Sequence, residues 1–367
     1  MATLELTKIL SISTAPAPFR YENEELLQFM EYFVTDSIGL RKLKYVWKES
    51  GIRTKYSALA DFKQDAKPRL FQDPVHAPTT KSRLDVFQNE APVLGEKVAR
   101  NAIQNAGLTS NDIGAIITVS CTGMYAPGLE IELSERLGLS ENTERHAINF
   151  MGCYAAFHGL RLANLIAQND PKKNILLVCV ELCSLHFRND SSDDNLLSTA
   201  LFSDGAAAVV LGVNGAKPAL GELVGFGSKL IGEGKSDMAW NIGNTGFEMI
   251  LNRSVPKHIE KNMSTAFHSI LQDYGLEPDA IQGFAIHPGG KNVLSAFASA
   301  LNTDVSALNH SMEVLEQFGN MSSCSVLFVL ERVLMNTPKG ALIYSAAFGP
   351  GLTVESGLIK SLAASDA

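Results

Sequence analysis

The sequence predicts an α/β fold in which one unit is used twice, and three observations carry that reading. First, short apolar runs rich in Val, Ile and Ala recur at 114–120, 174–182, 206–213, 281–286 and 341–348. Runs of this kind suit strands buried on both faces. Second, helical stretches at 89–107, 127–138 and 258–275 lie between them and close on glycine, as helix C-termini often do. Strand and helix in alternation define the α/β class. Third, the halves echo each other. Gly152-Cys153 precedes a long helical stretch, and Gly319-Asn320-Met321-Ser322-Ser323 precedes another. A glycine turn then feeds an apolar run in each half, at 202–212 and 348–357. The boundary falls near 214–220 and divides an N-terminal half, 1–215, from a C-terminal half, 216–367.

The opening residues, MATLELTKILSISTAPAPF, read as a first strand. No basic region precedes an apolar one there, so no secretory leader is expected. No apolar run approaches the length of a bilayer span. The 367 residues are 46% hydrophobic and 19% charged, which suits a large folded core. The net charge is −8 and no Lys/Arg block occurs, which argues against nucleic acid as the main partner. The five cysteines are an odd number, and they read as reduced thiols in a cytoplasmic protein. Cys179 and Cys183 fall in or beside an apolar strand pattern. No Cys/His pairs stand at zinc-ligand spacing and no Gly-rich phosphate loop is present, so no metal or cofactor is expected.

Three residues could carry chemistry. Cys153 follows Gly152 where an apolar run meets a helix. A helix N-terminus favours thiolate over thiol, and thiolate is the reactive form. Buried free cysteines are also common packing residues, so the segment alone leaves both readings open. His287 follows the run 281–286 and precedes Pro288-Gly289-Gly290, at the carboxyl end of a strand, where α/β sites tend to form. A turn histidine satisfied by backbone is the plainer alternative. Asn320 is either a helix cap or a neutral donor to developing negative charge. A Cys/His/Asn set suits acyl transfer, yet cysteine hydrolases use the same residue types.

Taken together these motifs resemble the type III polyketide synthases, the chalcone synthase-like group of thiolase-fold condensing enzymes. The resemblance covers nearly the whole chain. Its residues are GCYAAFHGLRLA, FRND, ALFSDGAAAVVLG, HPGG, GNMSS and FGPGLTVE, in the family's order. It implies a thiolase fold of two βαβαβ-type halves in a five-layered αβαβα core, usually as a homodimer. It also implies roles. Cys153 matches the acyl-accepting nucleophile, acting as a thiolate paired with protonated His287. His287 and Asn320 match the pair that holds the thioester carbonyl during decarboxylation. Phe202 and Phe247 match gatekeeping phenylalanines. The implied reaction is iterative decarboxylative condensation of malonyl-CoA onto an acyl-CoA starter, closing to an aromatic or pyrone product. Alternatives are a single-turn 3-ketoacyl synthase III-like enzyme of the same fold and a non-catalytic thiolase-fold subunit.

The chain departs from the plant pattern at several places. Lys42 falls on a basic, CoA-binding position, whereas Tyr45 and Glu49 fall where two others are usually Arg or Lys. Lys44, Lys48, Arg53 and Lys55 are candidate substitutes, and an acyl carrier protein stays open as donor. Cys121-Thr122-Gly123 resembles bacterial members. His186 stands where a small cavity residue is usual, and Met238 where glycine is common. Ser322 is kept. Ala126 occupies the place from which a partner-subunit methionine often reaches across a dimer. Bulky His186 and Met238 point to a small aliphatic starter.

Overall fold

The computed structural model describes residues 5–34, 36–63, 65–72 and 76–363. The strands are β1 (Lys8–Pro16), β2 (Phe19–Glu22), β3 (Thr54–Ser57), β4 (Ile113–Ser120), β5 (Glu144–Asn149), β6 (Asn174–Leu182), β7 (Asp204–Gly212), β8 (Gly221–Leu230), β9 (Met238–Gly243), β10 (Gly246–Leu251), β11 (Ile281–Ile286), β12 (Leu342–Gly349) and β13 (Thr353–Ser361). The helices are α1 (Asn23–Phe33), α2 (Ser37–Glu49), α3 (Thr80–Asn105), α4 (Leu129–Leu137), α5 (Ala155–Asn169), α6 (Asp193–Leu201), α7 (Val255–Asp273), α8 (Lys291–Ala300), α9 (Asn309–Phe318) and α10 (Ser325–Asn336).

Nine strands form one mixed sheet in the order β11-β12-β13-β8-β1-β7-β6-β4-β5. The duplication is visible in its pairing. In the first half β4 and β6 run parallel, while β6–β7 and β7–β1 are antiparallel. In the second half β11 and β12 run parallel, while β12–β13 and β13–β8 are antiparallel. A short antiparallel contact between β1 and β8 joins the halves.

The apolar runs are strands buried on both faces, and their alternation sorts side chains between cores. Ile175, Leu177 and Cys179 of β6 enter the central core with Ala207, Val209 and Leu211 of β7. Leu176, Val178 and Val180 turn the other way, towards α3. In the second half Ile343 and Ala347 of β12 join the central core, whereas Tyr344, Ala346 and Phe348 pack against α7 and α8. Helices α5 and α10 thus lie between two sheet faces, with α3 outside one and α7 and α8 outside the other. That is the five-layered thiolase arrangement.

Helix α3 is longer than its sequence pattern. It starts at Thr80, where the Thr79 side chain accepts from Ser82 N at 3.2 Å, and it continues through Pro92. Among the described residues no helix is long and apolar enough to cross a membrane.

Candidate active site

The turn after β5 is built from backbone that only a few residues adopt. Phe150 has φ 63° and Gly152 has φ 90°. A Cβ on Gly152 would lie 2.2 Å from Pro350 Cδ, and one on Gly349 would lie 2.6 Å from Tyr154 Cδ1. The terminal Gly-Pro-Gly loop therefore packs directly on the cysteine turn, and glycine is needed for the close approach. Cys153 emerges there, 8% exposed and two residues before α5.

Two other turns converge on this cysteine. His287 ends β11, anchored by its backbone N–H to Ala346 O at 2.8 Å. Asn320 follows α9 and pairs with Phe202 through a backbone bridge. Asn320 N donates to Leu201 O at 2.9 Å, and Ser203 N donates to Asn320 O at 2.9 Å. The Asn320 side chain accepts from Ser322 N at 2.9 Å and donates to Gly289 O at 3.4 Å. The N-cap of the short turn Ser322–Cys324 is Met321 and that of α10 is Cys324, so Asn320 caps neither.

Cys153, His287 and Asn320 line one cavity of about 480 Å³. Phe202, Phe247, Cys121, Thr122, His186, Met238 and Ser322 line it too. The pocket residues read from the sequence are thus brought together. Ala126 is exposed and does not line it.

Burial works against both charges of the expected thiolate–imidazolium pair. Burial pushes the Cys153 thiol up to about 12, against hydrogen bonds from Ser322 and Asn320 that lower it. Burial pulls His287 down to about 3, and no neighbouring charge opposes this. Burial thus disfavours the charged form of each group. Neither ring nitrogen of buried His287 has a hydrogen-bond partner among the described residues.

His186 is the opposite case. Its Nδ1 accepts from Phe247 N at 3.0 Å and its Nε2 lies 2.7 Å from Thr122 O. This pattern fixes the neutral tautomer with the proton on Nε2. The ring stacks on Phe247 at 4.2 Å and 8°, and Trp240 meets both rings edge-on. Buried Arg83 donates to the carbonyls of Leu185 and Phe187, either side of His186. The histidine thus does more than fill space, because it holds the Phe247 ring in place.

The structure places the four candidate CoA-binding residues differently from one another. Lys42 pairs with Asp193 at 2.7 Å, Lys44 with Glu31 at 3.1 Å and Arg53 with Glu316 at 3.7 Å. None of the three lines the cavity. Lys55 does line it, but it is buried and its ammonium donates to Thr199 O and Ala200 O. Tyr45 and Glu49, the two non-basic departures, stand on the cavity wall. The other Lys and Arg residues there are Arg188, Arg253 and Lys291, which the charge-run reading missed.

Two further residues were missed. Glu181 is wholly buried behind the site and accepts from Cys121 N at 3.0 Å, Thr122 Oγ1 at 2.8 Å and Ser323 Oγ at 2.5 Å. A lone carboxylate inside the run 174–182 was its only signal. Cys183 lies just past β6, in the turn Cys183–His186, and lines the cavity. Cys121 is tied down: its sulfur accepts from Gly152 N at 2.9 Å and donates to Gly152 O at 3.3 Å.

Family models of the N-terminal and C-terminal domains of chalcone and stilbene synthases match residues 7–215 and 222–363. The chain belongs to that family. It is a type III polyketide synthase, an acyltransferase of a class that uses CoA thioesters. The alpha-pyrone synthesis polyketide synthase-like Pks18 of Mycobacterium tuberculosis is 31% identical over 324 residues, 86% of this chain and 81% of that protein. The probable polyketide synthase 1 of Dictyostelium discoideum is 30% identical over 328 residues, 88% of this chain, and the match spans only 10% of that protein's length. Among solved structures, PKS-I of the brown alga Ectocarpus siliculosus superposes with a TM-score of 0.91 at 29% identity, covering 98% of this chain and 99% of that one. The 1,3,6,8-tetrahydroxynaphthalene synthase of Streptomyces coelicolor gives 0.88 at 28%, covering 97% and 100%.

Proposed function

We propose that this polyketide synthase carries its growing chain on Cys153, and that His287 and Asn320 hold the oxygen on which charge develops. One observation carries the reading: a histidine with two unpartnered ring nitrogens is buried on the wall of the cavity that holds the cysteine. Buried polar groups without partners are rare and point to a missing ligand. In loading, the Cys153 sulfur attacks the starter thioester carbonyl, its proton passes to neutral His287, and CoA leaves. Malonyl-CoA then loses CO₂. The electron pair of the broken C–C bond moves into an enolate, whose oxygen takes donors from His287 and Asn320. The enolate carbon attacks the Cys153 thioester, and the extended chain leaves on CoA. Phe202 and Phe247 provide an apolar wall that excludes water and disfavours the carboxylate.

His186, Met238 and Trp240 crowd one side of the cavity, which supports a small aliphatic starter and a compact aromatic or pyrone product. Lys291 supports a contact to the CoA phosphates better than the α2 lysines, because it lines the cavity without a carboxylate partner among the described residues, whereas Arg188 pairs with Asp190 and Glu248 and Arg253 with Asp193. An acyl carrier protein remains the other donor to test. Strand β5 is one of the two sheet edges and among the described residues pairs only with β4, so its free side supports a homodimer formed across that edge. A reducing cytoplasm suits five unpaired thiols.

Intact-protein mass spectrometry with a panel of acyl-CoA starters tests the assignment. The wild type should gain one acyl group. Cys153→Ala should gain none, yet keep part of its malonyl-CoA decarboxylation. An acylated Cys153→Ala protein would sink the reading.

A further inference from the structure

Lys55 lines the cavity, and its ammonium faces the backbone that shapes the site. It is 5% exposed, and among the described residues no carboxylate stands within ion-pair distance of its ammonium. The ammonium donates to Thr199 O at 2.5 Å and Ala200 O at 3.4 Å, and it sits 4.6 Å from the Trp47 ring centroid. Those carbonyls belong to the last turn of α6, the negative end of its dipole, and the next residue but one is Phe202.

The neighbouring residues of β3 grip the same two turns. Tyr56 N donates to Ser203 Oγ at 2.8 Å, and Ser203 Oγ donates to Tyr56 O at 3.2 Å. Thr54 Oγ1 donates to Gln317 O, just ahead of Asn320. Gly319 has φ 70°, and a Cβ there would lie 3.1 Å from Leu201 O and 3.3 Å from Lys55 Cγ. The 201–203 segment is in turn bonded to the Asn320 backbone on both sides. β3 is therefore held between the turn that carries Phe202 and the turn that carries Asn320. An apolar side chain of the same length would fill this space without desolvating a cation. What the ammonium adds is two charge-assisted bonds to carbonyls at the helix end.

We propose that Lys55 is a positioning residue: its bonds to Thr199 and Ala200 fix the Phe202 turn, and through Leu201 and Ser203 they fix Asn320. The inference rests on the roles given above to Phe202 and Asn320. Burial draws the ammonium down to about 7, with Asp204 and Cys183 as the charges that oppose this. The lysine is thus held at a cost that a purely filling residue would not carry.

The test uses Lys55→Met, Lys55→Arg, Ser203→Ala and Asn320→Ala, assayed for malonyl-CoA decarboxylation and for condensation. Lys55→Met should lower kcat by about ten-fold or more with KM for malonyl-CoA within about two-fold, the mark of lost positioning rather than lost binding. Lys55→Arg should recover most of the rate, and Ser203→Ala should fall in the same direction by less. A raised KM with kcat kept would make Lys55 a phosphate contact and overturn the proposal. An unchanged kcat in folded Lys55→Met would overturn it too. If Lys55→Met does not fold, Ser203→Ala decides, and wild-type kcat there overturns the proposal. Asn320→Ala separates the two levels. Wild-type decarboxylation in Asn320→Ala would defeat the catalytic reading itself. An impaired Asn320→Ala beside an intact Lys55→Met would defeat only this inference.

Discussion

Two buried histidines line the same cavity, and burial pulls both down to about 3. His186 has both ring nitrogens engaged and a stacked neighbour, whereas His287 has neither nitrogen engaged. Titration alone cannot tell them apart, because desolvation acts on both alike. Hydrogen-bond bookkeeping can. A buried histidine with two protein partners has nothing left to offer a substrate. One with none has been taken out of water without replacement, a state expected only where a ligand supplies the partners.

The largest test of this contrast is chemical. His287→Ala should lower malonyl-CoA decarboxylation by about 10²–10³, the scale of losing one oxyanion donor. His186→Phe keeps the ring and its stack on Phe247 and should leave decarboxylation nearly intact while broadening the product mixture. Equal losses in both variants would collapse the distinction, and unchanged turnover in His287→Ala would remove that residue from the site.

Stability against acid gives a second, smaller effect. The unfolded chain binds protons to these histidines below about pH 6.5, while the folded chain does so only near 3. Stability should therefore fall as pH drops through this window, by roughly 1 kcal/mol per pH unit for each histidine. Urea midpoints for the wild type should drop between pH 7 and pH 4.5. The drop should be shallower in His186→Phe, which has one such histidine fewer. A parallel drop in the two proteins would show that His186 is not held neutral.

Thiol labelling extends the comparison to sulfur. Both thiols line the cavity and burial pushes both up, but Cys121 exchanges two hydrogen bonds with Gly152 that tie its sulfur to the backbone. Iodoacetamide should inactivate the enzyme by labelling Cys153 first. Peptide mapping that finds Cys121 labelled first would reverse their order.

What could be read from sequence follows the reach of each signal. The strands at 174–182 and 206–213 were legible because a run buried on both faces must be apolar throughout. Cys153 and Asn320 could be picked out because each follows a glycine at matching places in the two halves, and His287 because it ends an apolar run ahead of Pro288-Gly289-Gly290, but it took the resemblance to join the three. The resting charge state was not legible. A helix N-terminus can be seen in sequence, but the desolvation that opposes charge there depends on how three distant turns close. The lysines show the same limit. Spacing places charge near 42–55 but not which side of the chain faces in, and Lys55 turned inward while Lys42 paired across to α6.

The smallest expected effect applies the same contrast to cations. Lys291 opens α8 on the cavity wall, exposed and without a carboxylate partner among the described residues. Lys42 is half-buried, committed to Asp193, and stands off the wall. A phosphate arriving at the mouth finds Lys291 free, whereas it would have to displace Asp193 from Lys42. Lys291→Ala should raise KM for malonyl-CoA by about three- to ten-fold with kcat little changed, and raised salt should narrow the gap to wild type. Lys42→Ala should change KM by less than about two-fold and stability by no more than about 1 kcal/mol, as for other exposed ion pairs. If Lys42→Ala raised KM more than Lys291→Ala, the coenzyme would enter over α2, and a pairing seen in the free enzyme would be no guide to what a phosphate displaces.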